Sequence, residues 1–417
     1  MFDANDLYFE SADVNEIAIS NDFYIPDAAE CMRCGMCVSH CPTFRLFQID
    51  EETPRRRIRT LSKILVEQQS TNADELRHLD NCLQCRACET ACPSQMRYGA
   101  LFDQALAKRK ITLPWQGKLG LALIARKNWR YALLPLISVY FGLGLNKTAA
   151  WRWLAHKLGL STASDALPQR PALGAIAAVH PVKNAHRGQV ALFSGCLSEH
   201  FDRQTLDATI NLLNTIGFSV ITPPQQGCCG AIHQHNAQSA ADLIANNIAV
   251  FNALDVQAVL YTASGCGAML SEYTDADSSA TQLFNNRLQD ATSFILAHWP
   301  PQLALSPLAQ TVAVHEPCSQ RNVLKNQQAV YQLLAKIPDL QILSLDGNAL
   351  CCGAGGSYFL THPDNAFALR AIKLQHISTA AVDTVISGNY GCASFMQTDA
   401  IRVIHPLVLL AEQLLIN

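Results

Sequence analysis

Helical and strand-like rhythms of hydrophobic and polar residues alternate along this chain of 417 residues. From Thr53, a good N-cap, and Pro54, a good first helical residue, PRRRIRTLSKILVEQQ runs on as an amphipathic helix. Further along, short β-branched runs end at a cysteine: VALFSG before Cys196, AVLYTASG before Cys266, VAVHEP before Cys318 and TVISGNYG before Cys392. These read as strands. Between them, TLDATINLLNTIG and NQQAVYQLLAKI place apolar residues at helical spacing. The longest uncharged run lies between Arg130 and Lys147 and carries Pro135, Gly142 and Gly144. It is shorter than the roughly 20 residues of a membrane-spanning helix.

The strand-and-helix pattern repeats. Cys196, Cys228-Cys229-Gly230 and Cys266 recur about 120 residues further on as Cys318, Cys351-Cys352-Gly353 and Cys392, with matching flanks. Strands alternating with helices in two copies predict two related α/β domains.

Composition limits the classes of function. Charged residues make up 16% of the chain, below the roughly 25% of an ordinary soluble domain, which points to surface covered by a partner or a membrane. A formal net charge of -3 excludes a globally basic nucleic-acid binder, and no nucleic-acid partner is expected. The opening residues, MFDANDLYFESADVNE, show no basic n-region, apolar h-region or cleavage site. The expected location is therefore cytoplasmic, at the inner face of the cell membrane. There the 16 cysteines stay reduced and available for metals or catalysis.

Charge is unevenly spread. Residues 1–30 carry Asp3, Asp6, Glu10, Asp13, Glu16, Asp22, Asp27 and Glu30 with no Lys or Arg, as a solvated leader or an arm for a basic partner would. Residues 111–164 have no acid but hold Lys118, Arg126, Lys127, Arg130, Lys147, Arg152 and Lys157. Trp115, Trp129, Trp151, Trp153, Tyr131, Tyr140 and Phe141 are interleaved with them. Basic helices with aromatic anchors suit a peripheral contact of residues 111–160 with an anionic membrane or a partner. Packing on the protein's own acidic surface is the alternative.

Cys31-x2-Cys34-x2-Cys37-x3-Cys41-Pro42 is followed by Cys82-x2-Cys85-x2-Cys88-x3-Cys92-Pro93. This is the bacterial ferredoxin run, twice: three thiolates on a tight loop hold one cluster, and the fourth, before proline, ligates the other. The expected ligands are Cys31, Cys34, Cys37 and Cys92 for one [4Fe–4S] cluster, and Cys82, Cys85, Cys88 and Cys41 for the second. Zinc also uses Cys-x2-Cys pairs, but it does not need this run twice. Arg55, Arg56, Arg57 and Arg59 either offset cluster charge, meet an acidic partner or form a solvated face.

The stretches HLDNCLQCRACETACPSQMRY, QGCCGAIHQHNAQ, TASGCGA and LCCGAGGSYFLTHPD together resemble the heterodisulfide-reductase-like superfamily. Within it, they are most similar to the iron–sulfur subunits of bacterial glycolate oxidase. The fold class expected is multidomain α+β: an N-terminal α-helical ferredoxin domain, then two repeated α/β Cys-Cys-Gly domains. The boundaries are a leader at 1–30, a two-cluster domain at 31–110, a basic helical region and linker at 111–185, and repeats at 186–305 and 306–417.

Each repeat cysteine sits where a strand gives way to a helix, a place whose N–H groups stabilise a thiolate or an anionic cluster. Cys196, Cys228, Cys229 and Cys266 in the first unit, and Cys318, Cys351, Cys352 and Cys392 in the second, are therefore metal-ligand candidates. They suffice for one or two further iron–sulfur clusters; a structural thiol pair or redox disulfide is the alternative. Related units use a fifth cysteine, and here Met269 and Phe395 stand in its place. His233, His235, His315 and His362 lie near these cysteines without a catalytic role being assigned to them.

No flavin or nicotinamide motif is present: CGAGGS lacks the full dinucleotide fingerprint and GLGLNKT fails the P-loop spacing. The chain is thus read as an electron carrier. The resemblance implies an FAD-containing dehydrogenase subunit that oxidises glycolate to glyoxylate, a second flavin-domain-like subunit, and quinone or another membrane acceptor. Related lactate or anaerobic glycerol-3-phosphate dehydrogenases are the alternative assemblies. A heterodisulfide-reductase-like activity at the Cys-Cys-Gly units is the alternative chemistry.

Overall fold

A computed structural model describes residues 31–109, 111, 113–145, 148–157, 171–182, 186–274 and 278–415. The acidic leader and much of the expected linker lie outside the described residues. The N-terminal region is helical, as expected. Thr53 caps the helix Pro54–Leu65, its side chain accepting from the Arg56 N–H at 3.4 Å, and Pro54 occupies the first turn. The helix Ala73–Asp80 opens on a capping box between Asn72 and Glu75. Ile58, Leu61 and Leu79 pack with Met96, Tyr98, Leu101, Phe102 and Ala105 into one small core. Burial of each large side chain there is worth about 1.5–3 kcal/mol.

Two sheets follow. The first uses β1 (Val179–His180), β2 (Gly188–Phe193), β3 (Phe218–Ile221), β4 (Ala258–Tyr261) and β5 (Leu288–Asp290), in the order β1-β3-β2-β4-β5. All pairs are parallel except β1 with β3. The second uses β6 (Thr311–His315), β7 (Gln341–Ser344), β8 (Thr384–Ser387) and β9 (Arg402–Ile404), all parallel, in the order β7-β6-β8-β9. The chain leaves β2 for β3 on one side and returns to β4 on the other, and leaves β6 for β7 and returns to β8 in the same way. The carboxyl ends of β2 and β4, and of β6 and β8, therefore flank a topological switch point, the ordinary ligand crevice of such sheets.

Period-2 alternation gives each sheet two different faces. Val190, Leu192, Ala258 and Leu260 of the first sheet join Val312, Val314, Ile386 and Ile404 of the second in one shared core. The alternate residues Ala191, Phe193, Val259 and Tyr261 turn instead toward Cys196, Cys228 and Cys229. Ala313 and Val385 likewise face Cys351, Cys352 and Cys392. The C-terminal helix Pro406–Glu412 sends Leu407 and Leu410 into the shared core with Leu206, Ile210 and Leu213 of the helix Arg203–Thr215. The two repeats are thus not separately cored.

Residues 115–157 form the helices Trp115–Ala125, Lys127–Gly142 and Ala149–Lys157. Among the described residues, no helix is long and apolar enough to cross a membrane. Part of this region packs on the protein's own acidic surface, one of the two settings expected for it. The Lys127 ammonium lies 3.2 Å from the buried Glu199 carboxylate, and Tyr131 donates to Glu199 at 2.8 Å. Arg130 is buried as well. Trp115, Trp129, Leu136, Leu143 and Trp153 remain exposed.

Candidate metal centres

The two ferredoxin-type loops share one backbone path. The residue before the second cysteine (Arg33, φ 53°; Gln84, φ 52°) and the residue after it (Gly35, φ 83°; Arg86, φ 58°) are left-handed. Such turns aim successive N–H groups inward and make a nest for an anion. Cys31, Cys34, Cys37 and Cys92 line one cavity together with Arg55 and Ile58, and Cys88 lines it as well. Cys41, Cys82, Cys85 and Cys88 line a second cavity with Arg57 and Tyr98. Cys41 and Cys92 thus cross between loops, and the two expected sets are each brought together.

Of the three alternatives for the arginines, Arg57 does not take the solvated face. Its guanidinium is buried and donates to the Cys41 thiol at 3.4 Å, to the His78 carbonyl at 2.7 Å and to Thr43 at 2.9 Å. It also pairs with Glu52, whose other oxygen meets His78 Nδ1 at 2.7 Å and the Asn81 amide at 2.6 Å. Burial opposes the charge on Arg57, yet Cys82, Tyr98, Cys41 and Glu52 raise its pKa above the usual range. Arg55 and Arg56 pair with Asp50, and Arg59 with Glu67, on the surface.

The repeat units build their sites at the switch points. Cys196 follows β2 and Cys266 lies in the helix after β4; Cys318 follows β6 and Cys392 lies in the helix after β8. The Cys-Cys pairs arrive on the loops after β3 and β7. Gly230 (φ 93°) and Gly353 (φ 95°) make the left-handed turn, and each N–H donates to the first thiol of its pair, at 3.4 Å to Cys228 and 3.5 Å to Cys351. The first unit is further tied by Asn247, which donates to the Cys228 carbonyl at 2.9 Å, and by Tyr273, which donates to that of Cys229 at 2.8 Å.

The second unit touches the ferredoxin domain. Cys85 and Leu83 pack in one cluster with Cys318, Cys351, Cys352 and Cys392. Asn322 donates to the Cys85 carbonyl at 2.8 Å, and Tyr358 to that of Asn81 at 3.0 Å. The first unit meets the same domain through Arg86–Glu272 and through Gln234, which donates to Asp103 at 2.6 Å.

Each cysteine group fits an anionic metal centre, and a cation stands beside each. Arg55 lies near Cys37, Arg57 near Cys41 and Cys82, Arg130 near Cys196, and Lys373 near all four thiols of the second unit. Lys373 is fully buried and donates to the Gly347 carbonyl at 2.7 Å. Burial lowers its pKa, and the thiols of Cys352, Cys351, Cys392 and Cys318 act against that. A buried ammonium is best compensated when those thiols are anionic, the state that metal ligation imposes. Without a metal, burial pushes the Cys88 thiol up, as do its neighbours Cys85 and Cys82. The donor sets are soft thiolates, as iron–sulfur clusters require.

The candidate histidines differ in setting. Burial brings His235 down to about 4 and lowers His233. His362 stacks on Tyr358 with ring centroids 4.5 Å apart. His315 is buried beside the second unit's thiols, its Nδ1 3.0 Å from Ser387 Oγ. Sequence reasoning missed Lys373, Asn322, Asn247 and Tyr273. A lysine among apolar helix positions was the available signal for the first; the others are pairings across distant segments.

Comparison with known proteins shows which families these regions match. Residues 27–96 match the 4Fe-4S dicluster domain model, and residues 190–271 and 312–397 each match the Cysteine-rich domain model. With its eight N-terminal cysteines, the match to a dicluster domain implies two [4Fe–4S] clusters. The probable glycolate oxidase iron-sulfur subunit of Bacillus subtilis is 30% identical, covering 92% of this chain and 93% of that protein. The glycolate oxidase iron-sulfur subunit of Escherichia coli is 28% identical over the same shares. Lactate utilization protein A of Geobacillus is 25% identical over 49% of this chain.

Proposed function

This chain belongs to the family of glycolate oxidase iron–sulfur subunits, and on that premise we propose that it is the electron-transfer subunit of a flavin-dependent glycolate dehydrogenase complex. Its donor is an FAD-containing subunit that oxidises glycolate to glyoxylate, accompanied by a second flavin-domain-like subunit. Its acceptor is membrane quinone. Glycolate is preferred to lactate because the relatives named for glycolate oxidase match over 92% of the chain, against 49% for the lactate-utilisation relative.

In this reading Cys31, Cys34, Cys37 and Cys92 hold one cubane, and Cys82, Cys85, Cys88 and Cys41 hold the other. Cys196, Cys228, Cys229 and Cys266, and Cys318, Cys351, Cys352 and Cys392, hold further iron–sulfur centres. The units run over 31–110, 186–305 and 306–417, joined by 111–185. When bound, the clusters supply one-electron redox chemistry. The residues supply the rest: Arg57 and Lys373 balance negative charge, Leu83 and Tyr358 exclude water between centres, and the Cys-Cys-Gly turns fix the thiols. One observation carries the reading: Cys85 of the ferredoxin domain packs against the same cluster as the cysteines of the second repeat.

The exposed face of Trp115, Trp129, Leu136 and Trp153, bordered by the exposed Lys118, Arg126 and Lys157, rests on the inner surface of the membrane. The test is to purify the chain with its partners and add glycolate anaerobically. Reduction of its clusters, seen by low-temperature EPR, supports the proposal. A complex whose clusters stay oxidised while the flavin is reduced rejects it.

A further inference from the structure

The two repeats match in their eight thiols but not beside them. Strand parity brings Phe193 and Tyr261 of the first sheet onto the cysteine-facing side, in register with each other. The corresponding positions of the second sheet hold His315 and Ser387, also in register. An aromatic pair in one unit is thus a hydrogen-bonded polar pair in the other, with His315 Nδ1 3.0 Å from Ser387 Oγ. Both residues are almost fully buried. Burying polar groups costs stability unless they are hydrogen-bonded, and this pair supplies only one such bond for the imidazole.

The donor atoms of His315, Cys352 and Cys392 lie within 4.8 Å of one another. A tetrahedral ion with bonds of about 2.0–2.3 Å needs donors roughly 3.5–3.8 Å apart, so closure takes side-chain movement of about an ångström. We propose that His315 is a metal ligand of the second repeat, which binds its metal through mixed imidazole and thiolate donors while the first repeat uses thiolates alone. This rests on the reading of the repeats as metal centres and goes beyond it. Ser387 accepts the Nδ1 proton, which fixes the tautomer and leaves Nε2 as the donor, in the manner of outer partners of ligating histidines. His315 also answers the absence of a fifth cysteine, whose place Phe395 takes.

Imidazole beside thiolate suits iron at a cluster corner and zinc alike. The experiment separates them. Full-length chain is purified anaerobically with ¹⁵N-histidine, and iron and zinc are counted. The reduced protein is examined by pulsed EPR for nitrogen hyperfine coupling and by X-ray absorption at the zinc edge. With iron, a histidine nitrogen coupling is present and is lost in both His315→Ala and His315→Cys. His315→Cys keeps the iron content, which separates lost ligation from failed folding. With zinc, one ion per chain shows mixed nitrogen and sulfur ligation, and its nitrogen shell is lost in the same variants. Ser387→Ala keeps the metal but alters the nitrogen signal. Wild-type metal content with no histidine nitrogen at either metal overturns the proposal. It does so without touching the family reading, because the glycolate-driven reduction of the ferredoxin-type clusters is read from separate EPR signals.

Discussion

The side-chain amide of Asn322 donates to the main-chain carbonyl of Cys85 at 2.8 Å. It ties the π-helical turn Ser319–Leu324, just after Cys318, to the middle of the second ferredoxin loop. Asn322→Leu keeps the volume and removes the bond, leaving the carbonyl without this donor at a cost of about 1–3 kcal/mol. The expected result is unchanged iron content with slower electron transfer from the ferredoxin-type clusters into the second repeat. Freeze-quench EPR after rapid reduction measures it, and an unaltered rate counts against this contact as the crossing point.

Arg57 holds Cys41, Thr43, Glu52 and the His78 carbonyl at once. Arg57→Met leaves Glu52 buried without its cation, a loss of about 3–5 kcal/mol. The second cavity's cluster should be lost before the first. Iron content together with thermal unfolding checks both statements.

Gly353→Ala brings a Cβ to 2.4 Å from the Ala366 carbonyl oxygen at a left-handed turn. A loss of about 1–3 kcal/mol follows from the strained backbone alone. Metal should leave the second repeat while the first keeps its own. Gly230→Ala, where the Cβ would lie 2.7 Å from Ala240 Cβ, should show the opposite preference.

Asp103 gives the contact between the ferredoxin domain and the first repeat a pH dependence. Burial raises its pKa to about 7, against the pull of its hydrogen bond with Gln234. The folded protein therefore holds this proton more tightly than the unfolded chain does. The stabilisation is complete below about pH 4 and is lost as pH rises through about 7. Asp103→Asn keeps an oxygen for Gln234 and should flatten this part of the stability curve by about 1–2 kcal/mol, allowing for partial exposure. Unfolding midpoints at pH 5 and pH 8 compare the two proteins, and equal slopes would rule the effect out.

Local rules carry the parts of the molecule that sequence reasoning reached. Cluster coordination demands the Cys-x2-Cys-x2-Cys-x3-Cys-Pro spacing, so the two cavities were legible from it. The strands before Cys196 and Cys318 were legible from their β-branched runs. The burial of Arg57 was not inferred, although helix phase places it on the face of Leu61. The inward turn of Lys127 could not be read locally, because its partner Glu199 lies in another segment. The shared core escaped for a similar reason. PLVLLAE signals a buried helix, but nothing within it says that it packs against the helix of the other repeat.

The account's central claim is a continuous set of metal centres from the ferredoxin-type cavities into the repeats. Iron and acid-labile sulfide, counted with zinc on the anaerobically purified chain and followed by low-temperature EPR, test it most directly. The account predicts about twelve to sixteen irons per chain, with signals beyond those of two interacting cubanes. About eight irons, with only the two cubane signals and no metal at the repeats, would contradict it.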